Sequence, residues 1–284
     1  MEITELNPKI VWKYFHEITQ VPRPSKKEGK IIAYLEKFAK EHGIEYKKDH
    51  VGNIVMSKPA TPGYEDRVKL ILQSHVDMVC EKNAGTEHDF DNDPIRTIVD
   101  GEWLHADGTT LGADNGIGCA AQLAILASDD IEHGPIEALF TIDEETGMTG
   151  AFELRPGFLT GKILINLDSE DEGELFIGCA GGKGIVATFT PEYQQAPQGL
   201  TWLRASVSGL KGGHSGGEIH CGLGNANKLL TRYLYALEKN VDWKLSEIAG
   251  GNLHNAIPRE AHALVGVRPE DKAKAIELLK SLEE

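Results

Sequence analysis

The stretch Val68–Asp77, VKLILQSHVD, is almost continuously apolar until it ends in His75 and Asp77. A short run without polar alternation suits a strand buried on both faces, as in a parallel sheet covered by helices. Two further runs end in the same way. IEALFTI (136–142) leads into Asp143, Glu144 and Glu145, and ILINL (163–167) leads into Asp168. In open α/β sheets, sites gather at the carboxyl ends of the strands, so three such endings point to one crevice. A fourth acidic residue, Asp114, sits in GADNG (112–116), a glycine-flanked turn just ahead of an apolar helical stretch at 117–127. Glycines on both sides permit backbone angles that a residue aimed into a site often needs.

Outward from these runs, strands alternate with helices, the pattern of an α/β domain with a mainly parallel sheet and helices on both faces. Asn7-Pro8 reads as a capped helix start, and Ser25 as the cap of a second helix ending near His42-Gly43. Strands are expected at 45–48 and 53–57, and loop and turn at 94–101. GCAGGKG (178–184) and PEYQQAPQG (191–199) mark a boundary. Beyond it, an alternating strand (TWLRASVSG), a helix over 224–239, strands at 243–249 and 263–267 and a last helix from Pro269 predict an α+β unit. The expected domains are 1–183 and 184–284.

The chain has 284 residues, 40 % hydrophobic and 26 % charged, an ordinary globular composition. Lys plus Arg number 29 against 44 Asp plus Glu, a formal charge of −15. Such acidity repels phosphate backbones and anionic lipid, so neither nucleic acid nor a membrane is an expected partner. The longest apolar run, Cys119–Leu126, is too short to span a bilayer, and MEITELNPKI has no basic segment leading into a hydrophobic one. A cytoplasmic protein is expected. The four cysteines lack any C-x-x-C pair and read as buried or half-buried free thiols.

His75, Asp114, Glu144, Glu145 and Asp168 cannot share a pocket as bare charges. Like charges at close range force protonation unless cations neutralise them. One imidazole with several carboxylates suits zinc, manganese or cobalt. A carboxylate shared by two ions would place them about 3.5–4 Å apart, as in two-metal hydrolases. Adjacent glutamates in an extended segment diverge, so of Glu144 and Glu145 one is expected as ligand and the other as free base.

HVDMV, GADNG, DEETGMTGA and NLDSED, in this order and spacing, resemble the aminoacyl-histidine (cytosolic non-specific, Xaa-His) dipeptidases. These belong to the co-catalytic zinc exopeptidases that include carnosinase and peptidase T. The likeness extends through LKGGHSGGEIHCGLGNAN (210–227) and NAIPREA (255–261). It implies a zinc-exopeptidase-like catalytic domain, an α+β lid, two divalent ions and hydrolysis of dipeptides, Xaa-His among them. His75 and Asp168 would bind one metal, Glu145 the other, and Asp114 both. Asp77 would orient the imidazole, and Glu144 would be the general base acting on a metal-bridging water. In the lid, His214 would stabilise the oxyanion or hold substrate, and Asn255 and Arg259 would meet the substrate carboxylate. The resemblance further implies a cis Asp114–Asn115 peptide bond and admits a homodimer through the lid.

Members of the family are longer, and a returning segment brings a last histidine to the metal held by Glu145. On that comparison the chain looks C-terminally truncated. A non-catalytic remnant that binds metal or a partner is therefore the rival reading, with an aminoacylase or deacetylase as the alternative within the superfamily.

Overall fold

The structure is a computed structural model that describes residues 2–282 apart from 84, 170, 180 and 182. The chain divides into two compact units, Met1–Cys179 and Ala180–Glu284.

The first unit contains α1 (Lys9–Thr19), α2 (Gly29–Glu41), β1 (Glu45–Lys48), β2 (Ile54–Lys58), β3 (Leu70–His75), β4 (Thr97–Asp100), β5 (Trp103–Ala106), α3 (Ala113–Ala127), β6 (Ile136–Thr141), the single turns α4 (Glu144–Gly147) and α5 (Thr149–Phe152), and β7 (Ile163–Asn166). Five strands form one sheet in the order β1-β2-β6-β3-β7. The expected parallel character holds where β3 pairs with β6 and β7. The other half is a correction: β1–β2 and β2–β6 are antiparallel, so the sheet is mixed. The connection between β1 and β2 spans only residues 49–53, too short for the crossover that parallel strands require.

All six residues of β6 are buried, which accounts for the unbroken apolar run that announced it. Ile54, Met56, Ala138 and Phe140 face a core built with α1 to α3, where Ile31, Leu35 and Phe38 recur at helical spacing. Val55, Ile71 and Leu139 point the opposite way. There Leu154, Phe158 and Leu159, from the chain between α5 and β7, pack against them.

Local readings differ from the structure in several places, and the run of β7 is exposed throughout. Ser25 caps no helix: α2 starts at Gly29, Lys26 is left-handed (φ 67°), and the Ser25 hydroxyl donates to Asp77 Oδ2 at 2.8 Å. Asn7 contributes no side-chain cap to α1, and the Asn7–Pro8 bond is cis. Residues 97–100, expected as loop, pair with β5 in a hairpin turned at Gly101 (φ 59°). Both strands are short and half exposed, so their alternation is faint. Cys119 is buried and Cys80 partly so, but Cys179 and Cys221 are exposed.

Asn53 is fully buried and ties the chain before β2 to the turn after β6. Its Nδ2 donates to Asp49 Oδ2 (2.7 Å) and Gly150 O (2.8 Å), and its Oδ1 accepts from Ile142 N (3.1 Å). Asn53→Ala strands these buried backbone groups and is expected to cost about 3 kcal/mol. Denaturant unfolding of the metal-free chain measures it.

The second unit holds β8 (Thr201–Val207), α6 (Ala226–Asn240), β9 (Trp243–Gly250), β10 (Ala261–Val267) and α7 (Lys272–Lys280). Its antiparallel sheet runs β8-β10-β9. Leu230, Leu234 and Leu237 of α6 and Ala275 of α7 pack on Ala205, Ala263, Val265 and Val267. Asn225 caps α6 by accepting from Lys228 N at 3.1 Å.

Candidate metal centre

β3, β6 and β7 end side by side, and each delivers its polar residues there. His75 closes β3 and is completely buried. Its Nε2 lies 2.9 Å from Asp114 Oδ1, 3.6 Å from Asp168 Oδ2 and 4.0 Å from Glu144 Oε2. One ligand atom each from His75, Asp114 and Glu145 lie within 4.8 Å of one another, and so do those of His75, Glu144 and Asp168. The four strand-end and turn segments therefore converge on a single imidazole.

Asp114 owes its place to the turn before α3. Gly112 is left-handed (φ 69°, ψ 32°), Asp114 and Asn115 depart from helical angles, and regular helix begins only after them. The Asp114–Asn115 peptide bond is cis, as the resemblance implied. Asn115, 3 % exposed, reaches across to β7: its Nδ2 donates to Leu167 O (3.0 Å) and to Asp168 Oδ1 (2.7 Å). That engages one oxygen of Asp168 and leaves Oδ2 on the His75 side. Asn115→Leu is expected to weaken metal binding about 10–100-fold, the usual loss when a ligand's partner is removed. Metal titration of the purified variant checks it.

Glu144 and Glu145 are not extended, contrary to expectation. They open the helical turn α4 after a left-handed Asp143 (φ 48°, ψ 51°), a conformation that Asp tolerates better than most residues. Both thus reach the cluster from one turn. Asp77 fixes that turn by accepting from Glu144 N (3.0 Å) and Glu145 N (3.3 Å), besides the Ser25 hydroxyl. Its Oδ1 is 3.3 Å from His75 Nδ1, but off the line of a hydrogen bond. Asp143 accepts from the hydroxyls of Thr146 and Thr149, and its own N–H donates to Glu28 Oε1 at 3.1 Å. Glu28, Asp77 and Asp143 form a second buried carboxylate group. Donors already occupy it, so it supports α4.

The electrostatics show what the cluster demands. Burial pushes Glu145 up to about 7, with the Asp114 charge adding to it. Burial likewise raises Asp168 to about 6, with His75 acting against it and the neighbouring Asp114 adding to it. For His75 burial acts downward, yet the Asp114 and Asp77 carboxylates prevail and push the imidazole up to about 11. Asp77, which burial would raise, is held below its usual range by His75, the Glu144 N–H and Ser25. A proton on Nε2 supplies a positive charge where these oxygens converge. A divalent cation there would satisfy the same oxygens more fully, and the N/O donor set suits zinc, cobalt or manganese. The residues present fit such an ion.

The three residues singled out beyond 184 lie together in the second unit. Loops 210–217 and 253–259 are zipped by Ser215 N to Asn255 O (2.8 Å), Ile257 N to Gly213 O (2.8 Å) and a bridge between His214 and Ala256. Arg259 Nε donates to Leu210 O at 3.1 Å, and its stem lies over Gly212, whose φ is 74°. His214 Nδ1 accepts from Gly216 N (3.2 Å) and Gly217 N (3.0 Å), which leaves Nε2 as the nitrogen free to donate. Sequence reasoning missed Ser25, Glu28, Asn53 and Asn115. Only Asn115 carried a usable signal, its place inside GADNG.

Residues 205–284 match the family model of the peptidase dimerisation domain. The chain is 49 % identical over 281 residues to the cytosol non-specific dipeptidase of Escherichia coli, a match covering 99 % of this chain and 57 % of that protein. It is 27 % identical over 295 residues to an uncharacterized Bacillus subtilis protein, covering 97 % and 71 %. Among solved structures, the aminoacylhistidine dipeptidase of Vibrio alginolyticus aligns at 47 % identity with a TM-score of 0.64, over 100 % of this chain and 58 % of that one. The chain thus spans a little under three fifths of the dipeptidases it matches. Over nearly its whole length, then, the chain is similar to the aminoacylhistidine and cytosol non-specific dipeptidases, and its strand-end cluster accords with that likeness.

Proposed function

We propose that the chain is the metal-binding and lid portion of a di-metal dipeptidase, with a catalytic domain to about residue 183 and a lid over 184–284. The observation that carries this reading is the buried His75 at one strand end, ringed by carboxylates from two neighbouring strand ends and one glycine-flanked turn. His75 and Asp168 would hold one ion, Glu145 the other, and Asp114 would serve both. Two divalent ions, zinc by preference with cobalt or manganese as substitutes, supply Lewis acidity toward water and the peptide carbonyl. Glu144 takes the proton from the attacking water and passes it to the leaving amine. Asp77 keeps His75 and the Glu144–Glu145 turn in register. In the lid, the His214 Nε2–H donates to developing negative charge, and Asn255 and Arg259 receive a terminal carboxylate, for which a guanidinium fork is well shaped.

The substrates are dipeptides with free ends, Xaa-His included, and the dimerisation-domain match supports a homodimer through the lid. A cytoplasmic location follows the name of the Escherichia coli relative. Release of free histidine from an Xaa-His dipeptide, measured with and without added zinc or cobalt, tests the proposal. Metal-dependent release supports it. Metal uptake without release at any concentration favours a binding remnant.

A further inference from the structure

Arg23 lies between α1 and α2 and is only 2 % exposed. Buried guanidinium groups are rare unless paired, and Arg23 spends its donors on backbone carbonyls. Its Nη1 donates to Val76 O (2.9 Å) and Asp77 O (2.9 Å), and its Nη2 to Gly112 O. These acceptors belong to two separate segments. Val76 and Asp77 directly follow His75, whereas Gly112 stands two residues before Asp114.

The glycines of GADNG make room for this contact. A Cβ on Gly112 would overlap Arg23 Nη2 and come within 2.8 Å of Met78 Sδ. A Cβ on Gly116 would lie 2.7 Å from Nη2 and 3.1 Å from Phe15 Cε2. The guanidinium therefore occupies space vacated on both sides of Asp114. A rigid planar fork that reaches both segments sets the spacing between them, which a flexible stem with a compact ammonium cannot do.

We propose that Arg23 is a positioning residue for the metal centre: it clamps the Gly112–Gly116 turn to the end of β3 and so sets the approach of Asp114 to His75. This role rests on the two-metal reading above. The hydrogen bonds of Arg23 go to main-chain oxygens, so it acts through the main chain on either side.

The test is titration of the full chain with Co²⁺ alone, read by visible d–d absorption, beside thermal unfolding of the metal-free proteins. Arg23→Gln is expected to raise the Co²⁺ dissociation constant at least about tenfold and to alter the band, because the ligands no longer meet in one geometry. Arg23→Lys keeps the charge without the fork and should fall between Gln and wild type; it decides the matter where the Gln variant does not fold. Phe15→Leu, a packing change beside Gly116, is the control: it lowers the melting temperature but leaves Co²⁺ affinity and spectrum within about twofold. Arg23 variants with wild-type affinity and band overturn the positioning role alone. So does a Phe15→Leu protein that loses as much affinity as Arg23→Gln for the same loss of melting temperature. A wild-type chain with no saturable Co²⁺ band overturns the two-metal reading and the Arg23 role with it.

Discussion

Glu144→Gln is expected to lower turnover of an Xaa-His dipeptide about 10²–10⁴-fold, the usual contribution of a general base, while metal content stays nearly unchanged. Glutamine keeps the shape of the side chain. It also keeps the backbone N–H that donates to Asp77 at 3.0 Å, so α4 holds its place. What disappears is the proton acceptor. Glu145→Ala provides the contrast, since it removes the carboxylate grouped with His75 and Asp114. One of two ions should then be lost. Elemental analysis of both variants beside their rates decides the matter: equal metal loss in the two would show that the roles are not divided as proposed.

Asp114→Ala is expected to remove both ions and to lower turnover about 10³-fold or more, because Lewis-acid stabilisation worth several kcal/mol goes with them. The expectation comes from position. Asp114 Oδ1 is 2.9 Å from His75 Nε2, and an Asp114 oxygen lies within 4.8 Å of Glu145, so one carboxylate adjoins both halves of the cluster. Removing it should also let Glu145 and Asp168 ionise more readily, since the Asp114 charge helps to hold both of them up. Metal content of the dialysed protein gives the result. A variant that retains one ion with wild-type affinity would show that Asp114 serves a single site.

The sequence alone determined the frame of the site. β3, β6 and α3 carry runs long and apolar enough to declare themselves, and burial removes the polar alternation that would blur them. The polar endings of β3 and β6, with that of the exposed run of β7, make His75, Asp77, Glu144, Glu145 and Asp168 legible in the sequence, and the flanking glycines single out Asp114. Only the tertiary structure decided which groups hold them in place. Ser25 meets Asp77 across 52 residues, Asn115 meets Asp168 across 53, and Arg23 reaches Gly112 across 89. The same holds for the antiparallel half of the sheet and for Glu144 and Glu145 sharing one helical turn. Periodicity reports which face of a local element is buried; it carries no record of a partner fifty or more residues away. A polar side chain such as Ser25 reads as a cap or a loop residue until folding brings its acceptor within hydrogen-bond reach.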